Sequence, residues 1–165
     1  HLPDFRAAER TFSLITQVSG RAGRFSPDGR VIVQTFLPGS PAVRLAADGK
    51  LEEFYSLELE TRKALGFPPY SRLFRLVFRG KQAGEVASAA EEAARVLRRE
   101  MGGTAELLGP SECPLGLVAG NHRRQIILRT DAFGNAHRRL GTALKAIRPP
   151  RGVHIEVDVD PVGLL

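Results

Sequence analysis

Near the N-terminus, Ala8, Phe12, Ile15 and Val18 recur every three or four positions, while Arg6, Glu9 and Arg10 fall outside their stripe. That period predicts a helix from Ala7 to Val18, with Asp4 placed to cap it and Gly20 and Gly23 ending its regularity. The turn signal Ser26-Pro27-Asp28-Gly29 follows, and Val31-Ile32-Val33 after it predicts a short buried strand. Pro38, Gly39 and Pro41 break the chain again. A second helix is predicted over 51–65, with Phe54, Leu57 and Leu59 as its apolar contacts among many charges. Gly66 ends it, and Pro68-Pro69 marks a domain boundary.

Beyond Ser71 the pattern resets. Phe74, Leu76 and Phe78 alternate with Arg75 and Arg79, which predicts a half-buried strand over 72–78. A helix over 83–100 carries Val86, Ala90, Ala93 and Leu97 on one stripe and stops at Gly102-Gly103. Short strands are predicted at 105–109 and 125–130, the latter nearly continuous through Ile126, Ile127 and Leu128. A helix over 135–147 presents Leu140, Leu144 and Ile147. The last strand alternates Val153, Ile155, Val157 and Val159 with His154, Glu156, Asp158 and Asp160, which places the two aspartates on its outward face. The order strand, helix, strand, strand, helix, strand is that of a ferredoxin-like, split-βαβ α+β domain, with both helices on one face of a four-stranded sheet.

Composition narrows the class. Of the 165 residues, 42% are hydrophobic and 25% charged, the balance of a globular chain rather than a disordered one. Lys and Arg number 24 against 18 Asp and Glu, a net charge of +6 that suits a polyanionic partner, nucleic acid first and anionic membrane second. No apolar run reaches the roughly 18–20 residues of a membrane-spanning helix. The polar start HLPDFRAAER lacks a secretory apolar stretch, so a cytoplasmic chain is expected. It begins with His1 rather than Met and is expected to be part of something longer. Cys113 stands alone and has no evident base, so neither a disulfide nor a nucleophile is expected of it. The four histidines are scattered, and no metal site is expected from this chain.

The stretch that carries chemistry is Gln17-Val18-Ser19-Gly20-Arg21-Ala22-Gly23-Arg24. Glycines allow close approach of the backbone to a partner, and the two guanidinium forks suit phosphate oxygens through parallel hydrogen bonds. Phosphoryl transfer needs such groups where negative charge must be neutralised. Gln17, Gly20, Arg21 and Arg24 resemble the QxxGRxxR signature, motif VI, of superfamily 2 helicases at each defining position. That resemblance implies nucleotide binding by Gln17, Gly20, Arg21 and Arg24, with Arg21 and Arg24 catalytic and Arg24 as the arginine finger.

The flanks extend the likeness. PDFRAAERTFSLITQVSGRAGR, EFYSLELETRKALGFPPYSRL and the terminal DVDPVGLL together resemble the PriA family (primosomal protein N′) of replication-restart DNA helicases along nearly the whole chain. The resemblance implies that 1–67 is the end of a RecA-like second motor lobe and 68–165 the family's C-terminal domain, similar to ribosomal protein S10. It implies an ATP-dependent, 3′-to-5′ DNA helicase that binds stalled forks and starts primosome assembly. The phosphate-binding loop, the acidic motif and the zinc-binding cysteines of that family have no counterpart here. ATP with magnesium would then be bound mostly by another lobe, zinc would sit elsewhere in the parent protein, and this segment alone would be inactive. A restart scaffold without ATPase activity, or an RNA helicase sharing the GRAGR core, stays open.

His122-Arg123-Arg124-Gln125, with Arg129 further on, lies at a turn and strand. In the family this region resembles a surface for DNA and for the acidic C-terminal tail of single-stranded-DNA-binding protein, so Arg123, Arg124, Gln125 and Arg129 are its candidate residues. A solvated basic hairpin is the alternative. Arg138, Arg139, Lys145, Arg148 and Arg151 read as a solvated helix face rather than a DNA track. Forked and single-stranded DNA, the tail of single-stranded-DNA-binding protein and primosome proteins are the partners implied, for a monomer associated with the nucleoid and without a membrane.

Overall fold

A computed structural model describes residues 4–25 and 29–164, with the side chains of 4–22 and 29–164. The described residues fall into two compact units divided between Gly66 and Phe67.

The first unit holds helices α1 (Ala7–Phe25), α2 (Pro41–Ala47) and α3 (Leu51–Leu65). Its core is Phe12, Ile15, Ala42, Leu45, Ala46 and Phe54, with the rings of Phe12 and Phe54 stacked at 4.1 Å between centroids. Buried Arg62 ties α3 to α1, donating to Glu9 at 2.8 Å and to Glu58 at 2.9 Å. Gly66 closes α3 at φ 63°, its N–H reaching the carbonyls of Arg62 and Lys63.

Several expectations change in this unit. The first helix does not end near Val18 but continues through both glycines to Phe25. A helical glycine costs only about 1 kcal/mol against alanine, which an intact hydrogen-bond ladder absorbs. The Pro38–Pro41 break contains the start of α2 instead: Ser40 Oγ accepts from the Val43 N–H at 3.4 Å, and Pro41 occupies the first turn, where a missing N–H leaves no bond unmade. Val31-Ile32-Val33 is not a strand, and Ile32 is 93% exposed. The described residues of this unit contain no other strand to pair with it, and no RecA-like sheet. Leu57 and Leu59 are exposed, so Phe54 supplies the burial expected of all three.

The second unit is a sheet with two helices: β1 (Arg72–Gly80), α4 (Ala83–Met101), β2 (Glu106–Val118), β3 (Asn121–Thr130), α5 (Phe133–Ala146) and β4 (His154–Val159). The strand order is β2-β3-β1-β4, and each neighbouring pair is antiparallel. Phe74, Leu76 and Phe78 of β1, with Ile126 and Leu128 of β3, pack on α4 and α5. Ala89, Ala90, Ala93 and Ala94 let α4 lie close to the sheet.

The half-buried reading of β1 needs correction. Leu73, Arg75 and Val77 on its other side are buried too, because β1 is central and the final segment closes that side. Arg75 Nη1 reaches the Gly163 carbonyl at 3.4 Å, and Leu164 is 1% exposed. β2 runs well past the expected 105–109, continuing beyond Pro110 and Pro114 through two register shifts. Gly109 makes one of them possible at φ 101°, where a Cβ would lie 2.9 Å from the Gln125 carbonyl. β3 begins at Asn121 rather than 125, because Ala119 and Gly120, at φ 48° and 73°, form a tight two-residue hairpin turn.

Candidate phosphate- and nucleic-acid-binding residues

On a helix of 3.6 residues per turn, positions 17, 20, 21 and 24 of α1 share one stripe, while Ala8, Phe12 and Ile15 share the opposite one. The core anchors one side of α1, so Gln17, Gly20 and Arg21 are exposed on the other. The backbone of Arg24 is helical, and its side chain lies outside the described residues. Among the described residues nothing lies within 4 Å of where a Gly20 Cβ would stand, so their packing does not demand this glycine. The stripe carries an amide, a guanidinium and no carboxylate.

The four candidates of the second unit are not one surface. Arg124 shares the face of Phe78, Ile126 and Leu128, on the helix side, opposite Glu112. Arg123, Gln125 and Arg129 point to the other face. Gln125 is core at 2% exposure, its Oε1 accepting from Arg75 Nε at 2.8 Å. Arg129 Nε donates to Glu106 at 2.9 Å, and its guanidinium lies 6.0 Å from the Phe67 ring centroid. Arg123 is half-buried and donates to the Leu115 carbonyl at 3.4 Å.

The helix cluster also separates. Arg139 donates to the Glu100 carbonyl at 2.8 Å, satisfying the end of α4, and Arg148 donates to the Ile147 carbonyl at 3.2 Å. Arg151 leaves the cluster and meets Arg79 and Lys81 at one end of the sheet, a convergence the sequence does not signal because some 70 positions intervene.

Cys113 is buried, and burial pushes its thiol up against the opposing pull of Arg123 and Arg75, away from the reactive thiolate. Asp160 is not on the outward face of β4. It lies just past the strand at φ 51° and accepts from Arg72 Nε at 2.7 Å and the Leu73 N–H at 3.2 Å. The Arg72 hydrogen bond holds its carboxyl below the usual aspartate range, with burial acting the other way and Leu73 assisting. Among the described residues no three His, Cys, Asp or Glu side chains gather as metal ligands, and no helix is long and apolar enough to cross a membrane.

The class so defined is an α+β protein in which a helical unit with an exposed amide-and-arginine stripe precedes a four-stranded antiparallel sheet backed by two helices. The family model described as the primosomal protein N C-terminal domain matches residues 63–162, and the chain belongs to that family. The chain is 47% identical, over its full length, to the replication restart protein PriA of Treponema pallidum. It is 37% identical over 78% of its length to that of Bacillus subtilis, and 32% identical over 99% to that of Borreliella burgdorferi. It spans about a quarter of the length of the Treponema and Borreliella proteins, and 16% of the Bacillus one.

Proposed function

We propose that this chain serves replication restart as part of an ATP-dependent, 3′-to-5′ DNA helicase that binds forked and single-stranded DNA and starts primosome assembly. The observation that carries the reading is the stripe of Gln17, Gly20 and Arg21, turned to solvent directly opposite the core of its own helix. A helix-interior glycine with open space above it costs stability without improving packing. Close approach of a ligand accounts for it. The donors on the stripe fit phosphate oxygens, and no carboxylate opposes them.

In this reading Gln17, Gly20, Arg21 and Arg24 contact the nucleotide, with Arg21 and Arg24 neutralising charge on its phosphates when ATP is bound. Magnesium and zinc would be held by other residues of the whole protein. Residues 1–67 would complete a second, RecA-like motor lobe, and 68–165 would form a ferredoxin-like domain similar to ribosomal protein S10, an assignment supported by the strand order β2-β3-β1-β4. Arg123 and Arg129 from one face of the sheet and Arg124 from the other would meet DNA or the acidic tail of single-stranded-DNA-binding protein, while Gln125 would hold Arg75 within the sheet. The whole protein would work as a cytoplasmic, nucleoid-associated monomer, and this segment alone would not hydrolyse ATP.

The test is ATP hydrolysis by the intact protein with and without forked DNA, for wild type, Arg21→Ala and Arg24→Ala. DNA-stimulated turnover that falls roughly a thousandfold or more in each variant is expected for arginines acting on the transferring phosphoryl group. Undiminished turnover in both variants overturns the role of the stripe. A wild type that binds forks without turnover replaces the motor with a restart scaffold whose motif is idle.

A further inference from the structure

At the end of the sheet where β1 gives way to α4, a cleft of about 360 Å³ opens among Arg79, Lys81, Gln82, Glu85, Arg151 and His154. Four stretches of chain build it: the end of β1, the β1–α4 connection with the first turn of α4, the start of β3 at Asn121, and the turn leading into β4. A backbone approach fixes their spacing. A Cβ on Gly80 would stand 2.8 Å from the Gly152 carbonyl and 3.1 Å from Val86 Cγ2, so only glycine lets that turn lie against the end of β1. Gly152 itself turns at φ 95°. This close approach carries Arg151 to Lys81.

The charge balance at the cleft is positive. Arg79, Lys81 and Arg151 line it. Against these three cations stand two carboxylates, Glu85 in the lining and Glu156 paired with Arg79. The remaining lining residues are polar or glycine. Among the described residues no aliphatic side chain lines the cleft to seat the apolar residue of a peptide, and its aromatic ring is the imidazole of His154. The cleft gathers several cations in one place, which suits successive phosphates of one strand.

We infer that this cleft is a phosphate-backbone site for single-stranded DNA, reading charge rather than sequence. The ligand class rests on the DNA-binding role proposed above; the location rests on the geometry of the cleft alone. Lys81 and Arg151 are exposed, so replacing them leaves the core untouched.

The experiment measures binding of a fluorescein-labelled oligothymidylate to the intact protein by anisotropy between 50 and 200 mM NaCl. The variants are Lys81→Ala/Arg151→Ala and Glu85→Gln, and thermal melts confirm that each is folded. Losing two phosphate contacts lowers the slope of log affinity against log salt by about 1.4, roughly 25-fold in affinity at 0.1 M salt. Glu85→Gln, which removes a lining carboxylate, tightens binding a few-fold by the same electrostatics. A double variant with wild-type affinity and slope overturns the cleft while leaving the DNA-binding role standing. A wild type that does not bind the oligonucleotide overturns that role as well. If the double variant loses a labelled Asp-rich peptide but keeps DNA, the cleft is a peptide site and the inference fails.

Discussion

Arg75 Nε donates to Gln125 Oε1 at 2.8 Å across the β1–β3 pair, with the two residues 6% and 2% exposed. The Arg75 guanidinium also reaches the Gly163 carbonyl, so a single side chain joins two strands and the final segment beneath the sheet. A charge this far from water is tolerable only while its hydrogen bonds are made.

Gln125→Ala is therefore expected to destabilise the second unit by about 1.5–3 kcal/mol, the range for a hydrogen bond to a charged group. Urea denaturation followed by circular dichroism measures it. The folded variant should bind DNA as the wild type does. A direct Gln125 contact with a partner would show the reverse, with affinity lost and the urea midpoint unchanged.

The first unit depends on a comparable device. Arg62 bridges Glu9 and Glu58 while its guanidinium lies 5.3 Å from the centre of the Phe5 ring. Arg62→Met keeps the aliphatic stem and removes both charge-assisted bonds. It should cost about 1–3 kcal/mol, partly because the largely covered Glu58 carboxylate is left without its partner. Hydrogen exchange of the α1 and α3 amides would report the loss, and unchanged protection would mean that the Phe12–Phe54 stack alone holds the helices.

Asp160 makes stability depend on pH with a defined sign. Its carboxyl is held below the usual range by the Arg72 hydrogen bond, so the folded state prefers the ionised form. The resulting stabilisation is complete above the ordinary aspartate value and is lost as pH falls through the lowered one. In Asp160→Asn this contribution is absent throughout. The wild-type and variant urea midpoints should differ at pH 7 and converge progressively below roughly pH 4. A constant difference across that range would place the effect in packing instead.

The second unit was the more legible in the sequence. Strict alternation from Val153 to Val159 and the alanine-rich stripe of α4 give elements within a residue or so of their predicted bounds, although Val157 and Val159 stand exposed rather than inward. Where pattern and structure part, a tertiary partner decided. Val31-Ile32-Val33 has strand propensity but no strand beside it. Gln125 and Arg75 read as surface residues because nothing local reveals that the segment ending at Leu164 folds beneath the sheet. The glycines of the motif read as a helix end, whereas α1 continues through them. The stripe residues were legible as a motif, but their shared helical face was not.

The irregular course of β2 has a consequence for the chain's neighbours in solution. An outer strand with a regular row of free N–H and C=O groups is a template onto which another chain can add. Here β2 shifts register twice along its pairing with β3, and Pro110 and Pro114 remove two of its amide hydrogens. At the opposite edge β4 is only six residues long and exposes His154, Glu156 and Asp158. Both borders of the sheet thus resist edge-to-edge growth, which guards the chain against fibrillar self-association.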